Sequence, residues 1–233
     1  MKLTDIRYLI RFFDEEYKVK YLFDNGLFMN AASTYHRIEK DSLKWDYSEG
    51  AFCDCSAAYK NSDRPIWCCS AAFEENIIDN HIVMDSKILD DFNCRNGYAV
   101  IFNTSKFLKA IEENPNNLYA SSYGLIKYVK RNPEKILMNN HFASSLFIKH
   151  PRFKHQQEFR YCIDYSCEKI FEKDVHNIFG LGVEQDLIKG YKPFEYKLSD
   201  VESFAQKLLP INFIKNNMIK IDLSILNKNI FDM

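Results

Sequence analysis

Residues 146–161 read Leu-Phe-Ile-Lys-His-Pro-Arg-Phe-Lys-His-Gln-Gln-Glu-Phe-Arg-Tyr, and this stretch decides both the expected fold and the candidate chemistry. Its second half alternates polar and apolar side chains, a pattern that predicts a β-strand. Because successive side chains on a strand point to opposite faces, we expect Gln156, Glu158 and Arg160 on one face of it. A carboxamide, a carboxylate and a guanidinium would then form a single row.

The pattern leaves two interpretations of this row open. In the first, the row is a solvated edge face on which Glu158 and Arg160 are neighbours with a modest interaction energy. In the second, the row is a ligand site in which Glu158 acts on the ligand while Gln156 orients a second group.

The rest of the chain alternates strand and helix patterns, with β-forming runs predicting strands and helically spaced apolar residues predicting helices. The predicted strands lie at 27–29, 66–73, 97–103, 123–129, 159–164 and 176–183. The predicted helices lie at 4–16, 84–93, 104–114 and 133–150. The sequence therefore predicts one α+β domain over residues 1–233 with a mixed or antiparallel sheet. Its core spans about residues 20–185, and a C-terminal helix and strand, 200–233, pack on it.

Composition and charge disfavour several classes of protein. The formal net charge is −1, which argues against a polybasic binder of nucleic acid or membrane. Glycine is scarce, at 7 of 233 residues, and the glycine-rich phosphate loops of kinases, P-loop NTPases and Rossmann dehydrogenases are missing from the sequence. No apolar run reaches the ~18 residues that a membrane span needs. We therefore expect a cytoplasmic protein without a membrane partner.

The seven cysteines fit a reducing compartment, in which they would be buried thiols. The alternative is a zinc cluster of Cys53, Cys55, Cys68 and Cys69. Their spacing differs from the C-x₂-C pair of zinc knuckles, and adjacent cysteines on a strand point to opposite faces. No metal cofactor is expected.

The quoted stretch resembles the signature of a widespread bacterial family of unknown function, in which Leu-Phe-x-Lys precedes aromatic-x-x-Glu-x-Glu-aromatic-Arg. Here the corresponding residues are Leu146-Phe-x-Lys149 and Phe153-x-x-Gln156-x-Glu158-Phe159-Arg160. Gly-Leu-Phe-Met-Asn at 26–30 and an acidic stretch ending at Glu49 also fit, and the resemblance covers roughly residues 20–185. The chain departs from the family by carrying Gln156 in place of the first Glu and by lacking a Trp-x-x-Tyr motif.

The late Gln-x-Glu is also similar to the ADP-ribosyltransferase superfamily. In that superfamily an Arg, His or aromatic residue on an early strand is followed by a Ser-rich strand and then by Gln/Glu-x-Glu. The matching candidates are Phe28 or Asn30 for the early position, Ser33-Thr34 or Ser70 for the middle one, and Gln156 and Glu158 for the late one.

This second resemblance implies a split β-sheet core and transfer of ADP-ribose from NAD, as substrate, to a protein or nucleic acid. It further implies a toxin or phage-defence effector, with an antitoxin as a partner. Glu158 would stabilise the oxocarbenium-like transition state, and Gln156 would position the acceptor by hydrogen bonds. Tyr35 or Tyr98 would stack on nicotinamide, Arg37 or Arg160 would bind pyrophosphate, and Glu49 would lie in a ligand-facing loop.

Two further functions stay open at this point. The first is hydrolysis of NAD with water as the acceptor. The second is a non-enzymatic module that binds nucleic acid or protein through a basic region around the predicted strand. The residues of that region are Lys127, Lys130, Arg131, Lys149, Arg152 and Lys154.

Overall fold

The computed structural model describes residues 5–34, 63–115, 118–129, 144–178, 181–208 and 214–231. Sixteen strands lie in these ranges: β1 (Ile6–Phe13), β2 (Leu27–Ala31), β3 (Pro65–Phe73), β4 (Ile77–Ile78), β5 (His81–Asp85), β6 (Tyr98–Asn103), β7 (Ser121–Leu125), β8 (Lys127–Tyr128), β9 (Ile148–Lys149), β10 (Glu158–Ile163), β11 (Lys169–Ile178), β12 (Leu181–Tyr191), β13 (Phe194–Tyr196), β14 (Ala205–Leu208), β15 (Ile214–Lys215) and β16 (Met218–Asp222). The α-helices with both ends in these ranges are α1 (Glu16–Asn25), α2 (Lys87–Asp91), α3 (Thr104–Glu112) and α4 (Lys228–Phe231).

Eight strands form the main sheet, in which all pairings are antiparallel. One path through it runs β13-β2-β3-β1-β6-β14, while β10 and then β7 continue from the other edge of β3. Every residue of β3 is buried, as expected for a central strand covered on both faces. The α+β class with a mainly antiparallel sheet is thus confirmed.

The main sheet splits at β3, and the strand registers show where. Ser70 lies opposite both Ile10 of β1 and Glu158 of β10, so these two strands flank opposite edges of β3. Ile66 lies opposite both Asn30 of β2 and Cys162 of β10, which places β2 on the same edge as β1. Between these two contacts, residues 67–69 have no strand partner on that edge among the described residues. The two arms of the sheet therefore diverge and leave a gap.

Apolar side chains cover both faces of the sheet. On one face lies an aromatic group whose rings pack edge to face, tilted or stacked at centroid distances of 5.3–6.5 Å, and it comprises Trp67, Phe102, Phe107 and Phe204. On the other face, Ile10, Ala72 and Ile101 belong to one buried cluster, while Ile66, Cys68, Leu146 and Cys162 belong to a second. Ser70, Glu158 and Arg160 lie on this same face by register.

The predicted helix over 4–16 is wrong, because Ile6–Phe13 is the strand β1 in the middle of the sheet. Ile6, Leu9, Ile10 and Phe13 follow helical spacing, but they also belong to a strand whose two faces are both covered. Such a strand is almost continuously apolar, and its periodicity does not separate it from a helix. The sheet therefore begins well before residue 20, the expected limit of the core.

Other elements agree with their patterns to different degrees. Strands β3, β6 and β10 and helix α3 are confirmed, although Asn103 and not Thr104 or Ser105 caps α3. In the segment 84–93, predicted as a helix, residues 84 and 85 end strand β5, and the helix is limited to α2. Of the helix predicted at 133–150, residues 133–143 lie outside the described ranges, and Ser144–Phe147 forms a 3₁₀ turn.

The C-terminal segment belongs to the sheets themselves. Strand β14 pairs with β6 in the main sheet, and β16 pairs with β5 in a four-stranded sheet of order β15-β16-β5-β4. Strands β11 and β12 form a separate two-stranded ladder, and the short strands β8 and β9 pair in parallel. Among the described helices, none has the length and apolar character needed to cross a membrane.

Candidate functional site

Glu158 is the first residue of β10 and points into the protein, with 4% of its surface exposed. Its Oε1 accepts from Arg160 Nε at 2.9 Å and from Arg160 Nη2 at 2.5 Å, and its Oε2 accepts from Lys149 Nζ at 3.1 Å. Arg160 and Lys149 are buried as well. The interpretation of this strand face as a solvated edge is therefore wrong.

The Glu158 carboxyl group is held in its ionised form. Burial alone would raise the pKa of Glu158, but the positive charges of Arg160 and Lys149, together with the hydrogen bonds from Arg160, lower it to about 2. At neutral pH the side chain is thus a buried carboxylate that carries a full negative charge.

The spacing of the 146–161 signature follows from this network. The Leu146 carbonyl oxygen accepts from Arg160 Nη1 at 2.5 Å, and Lys149 lies 4.9 Å above the ring of the buried Phe153. The Glu158 backbone N–H donates to the Tyr128 hydroxyl oxygen at 2.8 Å. The Leu-Phe-x-Lys stretch therefore supplies one carbonyl and one cation that fix the charged groups of β10.

Gln156 does not lie on the strand that the alternation predicted. It ends the 3₁₀ helix Pro151–Gln156, and Gln157 then adopts a left-handed conformation with φ 44° before β10 begins. Its side chain is 2% exposed, and its Nε2 donates to Asp91 Oδ2 at 2.6 Å. Its Oε1 is buried and has no hydrogen-bond partner among the described residues. A buried amide oxygen without a partner is costly, which makes it a candidate ligand contact.

Gln156 and Glu158 nevertheless line the same small cavity. Its volume is about 20 Å³, roughly that of one water molecule, and its wall also includes Ser70 and Arg11. Ser70 lies directly opposite Glu158 in the β3–β10 ladder. The left-handed residue between Gln156 and Glu158 thus brings both side chains to one place although only one of them is on the strand.

Arg11 occupies the gap at which the sheet splits. Its Nη1 donates to the carbonyl oxygen of Cys68, in the part of β3 that lacks a strand partner on this edge. The guanidinium also lies 5.9 Å from the ring centroid of Trp67 and 5.8 Å from that of Phe13. Arg11 is half-buried, so it lies at the border between the protein interior and its surface.

A larger cleft of about 290 Å³ opens on the other side of Arg11. It lies between β1, α1 and β2, with Trp67 of β3 among its lining residues. This volume is near the lower limit of small-molecule pockets. The aromatic residues that line it are Phe13, Tyr17, Tyr21, Phe28 and Trp67. The cleft and the small cavity share Arg11, and we take the two together as the candidate site.

The structure brings some of the predicted site residues together and separates others. Glu158, Gln156 and Ser70 share the small cavity, and Asn30 lines the larger cleft. Arg160 is fully buried and donates to the Glu158 carboxylate, so its guanidinium has no exposed surface for an incoming pyrophosphate. Ser33, Thr34 and Tyr98 line neither space. Tyr35, Arg37 and Glu49 lie outside the described residues.

Sequence reasoning missed two residues of the site. Arg11 was hidden by the helix predicted over 4–16, although an arginine flanked by the apolar residues Leu9, Ile10 and Phe12 is a signal for a buried polar contact. Asp91, the last residue of α2, left no local signal, because its partner Gln156 lies 65 positions away.

The described cysteines are buried and no disulfide joins any two of them, and Cys68 and Cys69 lie in different apolar clusters on opposite faces of β3. Within the described ranges, no three or more His, Cys, Asp and Glu side chains group together in a way that could hold a metal ion. Comparison of the chain with family models, with curated proteins and with solved structures gave no match.

Proposed function

We propose that this protein is an NAD-dependent ADP-ribosyltransferase that modifies a macromolecule, with its site at the split of the main sheet. The observation that carries the proposal is one small cavity lined by an ionised Glu158, an unpartnered Gln156 Oε1, Ser70 and Arg11. Arg11, Ser70 and Glu158 follow one another in the chain as the early, middle and late positions of the superfamily do. The early position is then taken by Arg11 in place of Phe28 or Asn30.

The reaction needs a carboxylate at the sugar and needs no redox partner. The bond between ribose C1′ and the nicotinamide nitrogen breaks, and its electron pair leaves with nicotinamide. The positive charge that develops on the ribose is stabilised by the ionised Glu158. An acceptor N–H or O–H then attacks C1′ and gives up its proton, so that the products are the ADP-ribosylated acceptor, nicotinamide and H⁺.

The basic and aromatic side chains that line the site support this substrate. Arg11 lines both the cavity and the cleft, and a guanidinium is a side chain that binds a pyrophosphate well. Lys149 and Arg160 are buried against Glu158, whereas Arg11 is partly exposed, so Arg11 is the residue that we expect to contact a phosphate. The aromatic walls of the cleft suit a nicotinamide ring, which stacks on such surfaces.

The decisive test is Glu158→Gln. NAD turnover is expected to fall by at least about a hundredfold, because the neutral amide no longer stabilises the developing cation. The same change leaves Lys149 and Arg160 buried without their counter-charge, which costs on the order of 3 kcal/mol of unfolding free energy. Release of nicotinamide and labelling of macromolecules from adenine-labelled NAD are measured at a temperature at which circular dichroism shows the variant folded.

Ile219→Ala is the matched control for lost stability. Ile219 is fully buried in β16, away from the lining of both the cavity and the cleft, and truncating it costs about 2–5 kcal/mol. We expect this variant to be destabilised to a similar degree and to keep its NAD turnover. Full turnover by folded Glu158→Gln would refute the proposed role of the carboxylate.

NAD hydrolysis is the second candidate, since a cavity that admits one water molecule could also supply water as the acceptor. Free ADP-ribose without labelled macromolecule would favour it. A purely basic binding surface is less well supported, because Lys149 of the expected basic region is buried against Glu158. A salt-steep affinity for RNA that Glu158→Gln leaves unchanged would favour that function instead.

A further inference from the structure

We propose that Asp91 is a positioning residue that fixes the Gln156 amide, so that Gln156 presents its carbonyl oxygen to the cavity beside Glu158. The effect of Asp91 on catalysis rests on the proposed function, whereas the contact between Asp91 and Gln156 does not depend on NAD. Asp91 lies at the end of α2 and touches no ligand space that the structure describes, so it acts through Gln156.

The orientation of the amide follows from hydrogen-bond chemistry. An ionised carboxylate only accepts hydrogen bonds, so the edge of the Gln156 amide that faces Asp91 Oδ2 at 2.6 Å has to be its NH₂ group. The remaining polar atom, Oε1, is buried without a partner in a side chain that lines the cavity. Gln156 Oε1 is thus a hydrogen-bond acceptor that faces the cavity. A group that binds there has to donate an N–H or O–H to it.

A second side chain holds Asp91 in place. His155 Nε2 lies 2.5 Å from the same Oδ2, and His155 Nδ1 lies 3.1 Å from the carbonyl oxygen of Arg152. The side chains of Asp91 and His155 are 19% and 18% exposed, so the group is mostly shielded from water. The Asp91 carboxylate therefore has a fixed position between His155 and Gln156. Because it is fixed, the Gln156 amide keeps one orientation, with its NH₂ group toward Asp91 and its Oε1 toward the cavity.

This arrangement has a consequence for the reaction. Glu158 alone stabilises the ribose cation, so water can still react when Gln156 is misoriented. Transfer to a macromolecule also needs its nucleophile held in line with C1′, and misplacing a reactant by about 1 Å can cost 10²-fold in rate. Loss of Asp91 should therefore reduce transfer more than hydrolysis, which a general loss of folding would not do.

The contact is tested by exchanging its donor and acceptor. Gln156→Glu places two carboxylates against each other and is expected to lower the melting temperature by several degrees. Asp91→Asn combined with Gln156→Glu restores a donor opposite an acceptor and is expected to return the melting temperature close to that of the unaltered protein. If the double variant is no more stable than Gln156→Glu, the contact is absent and the inference is overturned.

The role in positioning is tested with Asp91→Leu, using adenine-labelled NAD and a bacterial lysate as the pool of acceptors. The ratio of macromolecule-bound to free ADP-ribose should fall about tenfold or more, while a merely structural role would lower both products together. An unchanged ratio overturns the inference. If the unaltered protein turns over no NAD but the exchanged pair still restores stability, the proposed function fails and the Asp91–Gln156 contact stands.

Discussion

Glu158 makes the stability of this protein depend on pH in a direction that its ion pairs determine. Its pKa in the folded protein is lowered from the ordinary value of 4.5 to about 2. The unfolded chain therefore binds the proton more readily, so the stabilisation is complete above pH ~4.5 and is lost as the pH falls through ~2. We expect the unfolding free energy to decrease over this window. In urea titrations between pH 6 and 2, Glu158→Gln should show a shallower decrease, and equal slopes would contradict the buried ion pairs.

Arg11 is the residue that we expect to set the affinity for NAD. It lines both the cavity and the cleft, and charge-assisted hydrogen bonds to a phosphate are worth about 1.5–3 kcal/mol. Arg11→Leu should therefore raise the KM for NAD by roughly 10- to 100-fold with a smaller change in kcat. The matched control is Arg7→Leu on the same strand, because Arg7 pairs with Glu74 outside the cavity and the cleft. If both changes alter the KM for NAD equally, Arg11 does not bind NAD.

At the scale of elements, the turn between α1 and β2 shapes one wall of the cleft, and Gly26 makes that turn. Its φ is 97°, its N–H closes α1 by donating to the Leu22 carbonyl oxygen at 3.0 Å, and a Cβ atom would lie 2.4 Å from the Tyr196 carbonyl oxygen. Gly26→Ala is thus both conformationally strained and sterically blocked, and we expect a loss on the order of 2–4 kcal/mol in urea unfolding. Tyr17→Ala on the exposed side of α1 provides the comparison, since Tyr17 is 62% exposed. A Gly26→Ala protein as stable as this comparison would contradict the close approach of β2 and β13.

The elements also show which parts of the fold can be read from sequence. Strands β6 and β10 were predictable because their runs of β-forming residues are bounded by turn or polar segments. Strand β1 could not be predicted, because the spacing of its apolar residues is compatible with a helix as well as with a buried strand. Only its pairing with neighbouring strands shows that it is a strand. The left-handed conformation of Gln157 could not be predicted from the local sequence pattern either. The alternation predicted that Gln156 and Glu158 lie on one face of a strand, whereas in the structure Gln156 ends a 3₁₀ helix and Gln157 turns the chain so that both side chains line the same cavity.

At the scale of the whole molecule, the residues of the site that could be predicted are those that lie close together in the sequence. Glu158, Arg160 and Lys149 lie within twelve positions of one another, and their common role follows from one signature. Arg11 and Asp91 reach the same place from strands and helices far along the chain. Contacts between residues so far apart in the chain depend on which strands pair with which. A single sequence does not reveal these strand pairings.

The split sheet predicts how the whole molecule responds to the proposed ligand. Arg11 stands on the β1 arm, Asn30 on the β2 arm and Ser70 on β3, so a ligand that reached both the cleft and the cavity would contact both arms and the strand that they share. A ligand that binds only this folded arrangement stabilises it by about 2.7 kcal/mol at a hundredfold excess over Kd. For a chain of this size that corresponds to a rise in Tm of about 5–11 °C. Thermal unfolding with NAD should show this rise, and Arg11→Leu should remove most of it. ADP-ribose should raise Tm by less, because it lacks the ring that the aromatic walls would hold, whereas no shift with either compound would exclude NAD as the ligand of the split.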